Sequence, residues 1–198
     1  MAYYYVYSPF SGTLWGQDCY CGNCSDSTPC NSGGYCTSCG STQCKHNTGI
    51  TGLCCPTDIS GSASTTVKLY VSSNVLSIKT TRTGPNDDGD SLCKTAPPTG
   101  FEWVNEGVKV ELYTGQNGSG TKVGIVFFGH LKTRVANGTY NSPNGKTLGY
   151  LGDQDCNCAC YDGIHTHTER SSTNSGYTYH RNCYASLTTS TVIYRWTV

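Results

Sequence analysis

The stretch Gly163-Ile164-His165-Thr166-His167-Thr168-Glu169 places two histidines and a glutamate at every second position. On a β-strand, residues i and i+2 point to the same face, so His165 and His167 stand side by side with their backbones about 7 Å apart. One imidazole of such a pair can bind a metal while the other works on a water. Taken alone, a His-X-His pair is commonly structural, so its meaning depends on the rest of the chain.

Composition agrees with a strand. A chain of 198 residues suits one domain with a sizeable core. Only 13% of it is charged, Gly reaches 24 and Met occurs once, which favours short strands and turns over helices. The expected fold class is all-β, an antiparallel sheet or sandwich. Lys+Arg and Asp+Glu balance at 13 each, leaving no footprint for nucleic acid or an anionic membrane. The apolar run Val123-Gly-Ile-Val-Phe-Phe128 is far shorter than the roughly 20 residues of a membrane span.

Fourteen cysteines, an even number, suit an oxidising compartment, and the chain is expected to be secreted. Met1-Ala-Tyr-Tyr-Tyr-Val-Tyr7 lacks the basic start and apolar run of a signal peptide, so any signal is expected to precede this numbering. Sequons stand at Asn23, Asn117 and Asn137. Residues 1–53 form a cysteine-dense extension that buries too little apolar surface to hold itself without covalent links. Cys21/Cys24 and Cys36/Cys39 also fit a four-thiolate zinc site, but a reducing compartment would leave the other ten cysteines unexplained.

From Thr65 onward the texture is β. Thr66-Val-Lys-Leu-Tyr-Val71 and Val75-Leu-Ser-Ile-Lys79 alternate with period two around Ser72-Ser-Asn74, which predicts a hairpin. Gly107–Tyr113 and Lys122–Leu131 predict two strands joined by a turn, and Ser190–Trp196 a terminal strand. The second domain is therefore residues 54–198.

Three stretches besides the His-X-His strand resemble, in order, those of the lysostaphin-type zinc endopeptidases, a family that also contains the vertebrate leukocyte chemotaxin. Gly163-Ile-His165-Thr-His167-Thr-Glu169 resembles the family's Gly-X-His-X-His-X-Glu, and Phe128-Gly-His130-Leu131 its Tyr-X-His-Leu. Val135-Ala-Asn-Gly138 through Gly145-Lys-Thr-Leu-Gly-Tyr-Leu-Gly152 is similar to its β-hairpin. The family opens with His-X-Gly-X-Asp, followed nine residues after the Asp by a strand Val. Asp58 and Val67 keep that spacing, but Cys54 stands where the His belongs. His46 is the nearest histidine, with Thr51 at the place of its carboxylate.

The resemblance implies that Asp58 and His167 are zinc ligands, with Cys54 or His46 as the candidate third donor. His130 and His165 would flank the water that zinc activates, orienting the nucleophile and stabilising the oxyanion. Glu169 would support a ligand. The implied substrates are bacterial cell-wall peptide cross-links or glycine-rich peptides. A second reading is a non-catalytic relative that binds an extracellular glycan or protein or serves as a self-assembling structural subunit, because a zinc thiolate needs Cys54 reduced. A third, a cysteine-rich toxin or inhibitor, rests on the N-terminal region alone. Purely structural roles stand beside these: a histidine at a strand end for His130, a turn cap for Asp58, and, for Tyr3, Tyr4, Tyr5 and Tyr7, terminal-strand packing as the commoner alternative to a binding platform.

Overall fold

The computed structural model describes residues 1–14, 53–83, 107–151, 164–171, 177–178 and 185–198. His46, the sequon at Asn23 and twelve of the fourteen cysteines lie outside these residues, so the disulfide framework expected for 1–53 does too. Among the described residues the chain is all-β, with a single 3-10 turn at Gln116–Gly118, and no helix is long and apolar enough to cross a membrane.

Among the described residues fourteen strands run in chain order: β1 (Tyr3–Tyr7), β2 (Gly12–Leu14), β3 (Leu53–Ser60), β4 (Thr66–Val71), β5 (Ser77–Thr83), β6 (Gly107–Tyr113), β7 (Lys122–Phe128), β8 (Leu131–Arg134), β9 (Gly138–Asn141), β10 (Lys146–Leu151), β11 (His165–Ser171), β12 (Tyr177–Thr178), β13 (Ser186–Leu187) and β14 (Val192–Thr197). They form two antiparallel sheets, one ordered β12-β14-β1-β4-β10-β8 and the other β13-β2-β3-β11-β7-β6-β5-β9.

The two sheets bury one core between them, because their strands alternate apolar and polar residues as the pleat requires. β4 turns Val67, Leu69 and Val71 inward and leaves Thr66, Lys68 and Tyr70 half-buried; β6 turns Val108, Val110 and Leu112 inward. Trp196 on β14 packs where a Cβ on Gly124 of β7 would overlap its indole, which explains the glycine in an otherwise apolar strand. Burying Trp196 fully is worth about 2–3 kcal/mol by apolar area, and its indole N–H donates to Ser171 Oγ at 3.3 Å.

Three expectations are corrected. Thr66–Val71 and Val75–Lys79 do not pair as a hairpin: β4 joins the first sheet while β5, beginning at Ser77, joins the second between β6 and β9. Period-two alternation marks a strand but carries no information about its partner. Lys122–Leu131 is two strands, broken at Gly129-His130, where the chain passes from one sheet to the other. The segment read as a hairpin across 135–152 also divides between the sheets: β9 pairs with β5, whereas β10 pairs with β4 and β8. The expected turn between β6 and β7 is observed. Residues 3–7 insert between β14 and β4, making the first strand integral to the β body.

Candidate functional site

β11 is buried along its whole length and lies between β3 and β7 inside the larger sheet. Its core face carries Thr166, Thr168 and Arg170, and buried hydroxyls there need partners. Thr166 donates to the Gly129 carbonyl at 3.0 Å. Thr168 donates to the Thr57 carbonyl at 2.8 Å, so in its 2.7 Å contact with the Tyr194 hydroxyl it accepts. Burial pushes the Tyr194 phenol well above its ordinary range.

The opposite face, away from the apolar core, carries His165, His167 and Glu169. Register fixes what stands beside them. His167 pairs directly with Asp58 of β3, and Glu169 directly with Phe127 of β7. His167 Nδ1 lies 2.7 Å from Asp58 Oδ1, and its Nε2 lies 2.9 Å from Glu169 Oε1. His165 Nε2 is 3.6 Å from the other Asp58 oxygen.

His130 arrives from the crossover between the sheets. Its φ of 59° is left-handed, a conformation that a non-glycine residue holds only when its surroundings fix it. The preceding Gly129 supplies the fixing contact, donating its N–H to the His167 carbonyl at 2.7 Å. A Cβ on Gly129 would press on the Phe127 ring at 2.9 Å. The His130 ring consequently meets His165 edge-on at 4.7 Å between centroids and His167 at 5.9 Å. Asp58, His130, His165, His167 and Glu169 are all buried in this patch.

The sequence thus named five residues that the fold brings together from three separate segments. It missed Phe127, whose ring lies 6.5 Å from that of His167 and walls that side of the patch. The signal was present in Phe127-Phe128, two adjacent aromatics that must face opposite sides of one strand. Cys54 is placed by its backbone opposite Arg170, three positions along β11 from His167, or roughly 10 Å on an extended strand. Between the two rungs β3 holds Cys55 and Pro56 against Glu169 alone, a bulge that suits a residue without an N–H. The side chains of Cys54 and His46 lie outside the described residues.

The electrostatics centre on His167. Burial opposes its charge, but the adjacent Asp58 carboxylate and the hydrogen bonds to Asp58 and Glu169 outweigh burial and hold its pKa well above 6.5. With Nε2–H donated to Glu169, the Nδ1 lone pair would face the Asp58 carboxylate, and two electron-rich atoms at that distance repel unless a cation lies between them. In the metal-free protein that cation is a proton.

No family model, curated protein or solved structure matches this chain.

The donor chemistry can be tested against zinc directly. Ligating histidines typically give their second ring N–H to a carboxylate, the arrangement Glu169 makes with His167. Two ligands of a tetrahedral zinc at about 2.0–2.1 Å from the metal stand roughly 3.3 Å apart. Asp58 Oδ1 and His167 Nδ1 therefore need to separate by about half an ångström for zinc to replace the proton. Among the described residues no group of three His, Cys, Asp or Glu is arranged to hold a metal. The pair fits two zinc positions, and a third donor must come from beyond it.

Proposed function

We propose that this chain is a lysostaphin-type zinc endopeptidase acting outside the cell on bacterial cell-wall peptide cross-links or glycine-rich peptides. The observation that carries the reading is the buried convergence of Asp58, His130, His165 and His167, with Glu169 fixing the ring of His167. Asp58 and His167 would hold the metal, with Cys54 or His46 as the candidate third donor. A bound zinc supplies Lewis acidity and lowers the pKa of water toward about 7.

The remaining roles are part of the same proposal. His165, beside the second oxygen of Asp58, would take the proton of an attacking water, and His130, against its ring edge, would hydrogen-bond an oxyanion developing on the scissile carbonyl. Phe127 closes the patch on the β7 side and keeps these charges in a medium where they act strongly.

The test is cleavage of glycine-bridged peptidoglycan and of pentaglycine by the full chain. Activity is expected to vanish on chelation and return with stoichiometric zinc. Absence of cleavage with zinc bound, or cleavage indifferent to chelation, contradicts the reading.

One observation favours the non-catalytic alternative, an extracellular binding or structural subunit. His167, held between Asp58 and Glu169, has both ring nitrogens engaged without a metal. Failure to take up zinc at neutral pH would select it.

A further inference from the structure

Two of the sequons, Asn117-Gly-Ser119 and Asn137-Gly-Thr139, lie at the two ends of one strand. Asn137 immediately precedes β9. Asn117, on the turn between β6 and β7, donates its backbone N–H at 2.7 Å to Oδ1 of Asn141, the last residue of β9. Among the described residues β9 is the outermost strand of the larger sheet, and Gly138, Thr139 and Asn141 are exposed along it. Edge strands present unpaired backbone groups and are ordinarily blunted by charge, proline or a bulge. Gly138-Thr-Tyr-Asn141 has neither a charged residue nor a proline, and its pairing with β5 runs without a bulge.

Backbone donors fix how both carboxamides point, because only the oxygen of an asparagine side chain can accept an N–H. The Arg82 N–H donates to Asn137 Oδ1 at 2.7 Å. The Asn117 N–H claims Asn141 Oδ1, so Asn141 Nδ2 is the donor in its 2.8 Å bond to Asn117, which accepts through Oδ1. Each sequon asparagine thus uses its oxygen within the fold, and among the described residues no group takes a hydrogen bond from either Nδ2. Asn117, Ser119, Asn137 and Thr139 are all exposed. Both turns are tied to β5: Thr80 Oγ1 donates to the Ala136 carbonyl at 2.8 Å, and Ser77 Oγ accepts the Gly118 N–H at 2.8 Å.

We infer that Asn117 and Asn137 carry N-linked glycans that bracket β9 and keep its edge from pairing with another chain. In the transfer, Nδ2 bonds to the anomeric carbon of an oligosaccharide held on a lipid diphosphate. The sugar–phosphate bond breaks, the lipid diphosphate leaves and Nδ2 gives up one proton. Oδ1 is unchanged, so the bonds from Arg82 and Asn141 survive in the folded glycoprotein. Three strands, β7, β6 and β5, stand between β11 and β9, which puts β9 roughly 19 Å along the sheet from the histidine patch at about 4.8 Å per strand. Glycans there leave the patch open, and the inference shares with the proposed function only passage through a secretory route.

The experiment is secretion of the full chain from cultured eukaryotic cells, followed by peptide-N-glycosidase digestion in heavy-oxygen water and peptide mapping. Both asparagines should be recovered as labelled aspartates. Ser119→Ala and Thr139→Ala should each remove one glycan from the intact mass, while Thr139→Ser, which keeps the sequon, should remove none. The Ser119→Ala/Thr139→Ala double variant, with its circular dichroism unchanged, should self-associate at a concentration where the glycoprotein sediments as a monomer. Endoglycosidase trimming of the folded parent to single-sugar stubs should do the same without a substitution. The inference is overturned if either asparagine is unmodified, if the glycoprotein itself associates, or if the double variant and the trimmed parent both remain monomeric.

Discussion

Replacing His165 with alanine is expected to lower the rate of peptide hydrolysis by the zinc-loaded protein about 10²–10⁴-fold, the range removed with a positioned general base. Zinc should remain bound. The variant leaves the Asp58–His167 contact and the Glu169 bond untouched, because neither involves His165. His165 lies 3.6 Å from the second Asp58 oxygen and against the edge of the His130 ring. Steady-state kinetics beside a zinc determination and a melting curve separate the loss of a catalytic group from the loss of metal or fold. A rate within twofold of the parent, in a folded zinc-bound variant, would remove His165 from the chemistry.

The second large effect is on stability. Asp58→Ala should cost about 3–5 kcal/mol in the metal-free protein, because deleting one partner of a buried pair leaves the other charge insufficiently compensated. Its pH dependence has a definite sign. The folded pKa of His167 is raised, so its contribution is fully present below the unfolded value of about 6.5 and is lost as pH climbs through the raised value. The stability gap between parent and variant should therefore narrow on the alkaline side of 6.5. Denaturant titrations from pH 6 to pH 10 in chelator would show this. A gap that is absent at pH 6, or that widens with pH, would rule out a protonated His167 as the bridge.

Much of the site was legible because the chemistry sits on one strand with period two. His165, His167 and Glu169 needed only the assumption of a strand to share a face, and it was the resemblance to the lysostaphin-type pattern, kept in the spacing from Asp58 to Val67, that pointed to the carboxylate. The pairings that complete the site were not legible. Which strand lies beside β11 is settled by long-range packing, and nothing local in Thr57-Asp58-Ile59 announces His167 as its neighbour. The predicted β4–β5 hairpin failed for the same reason: Ser72-Ser-Asn74 is good turn chemistry, yet the chain uses it to change sheets.

Zinc binding itself reports most directly on the patch. Native mass spectrometry of the full chain, dialysed against micromolar zinc at pH 8, should find one zinc per molecule in the parent and none in His167→Ala or Asp58→Ala. Affinity in the parent should rise with pH, up to tenfold per unit while His167 must release its proton to the metal's advantage. A parent that takes up no zinc, or variants that bind it as well as the parent, would show that Asp58 and His167 hold a proton and nothing more.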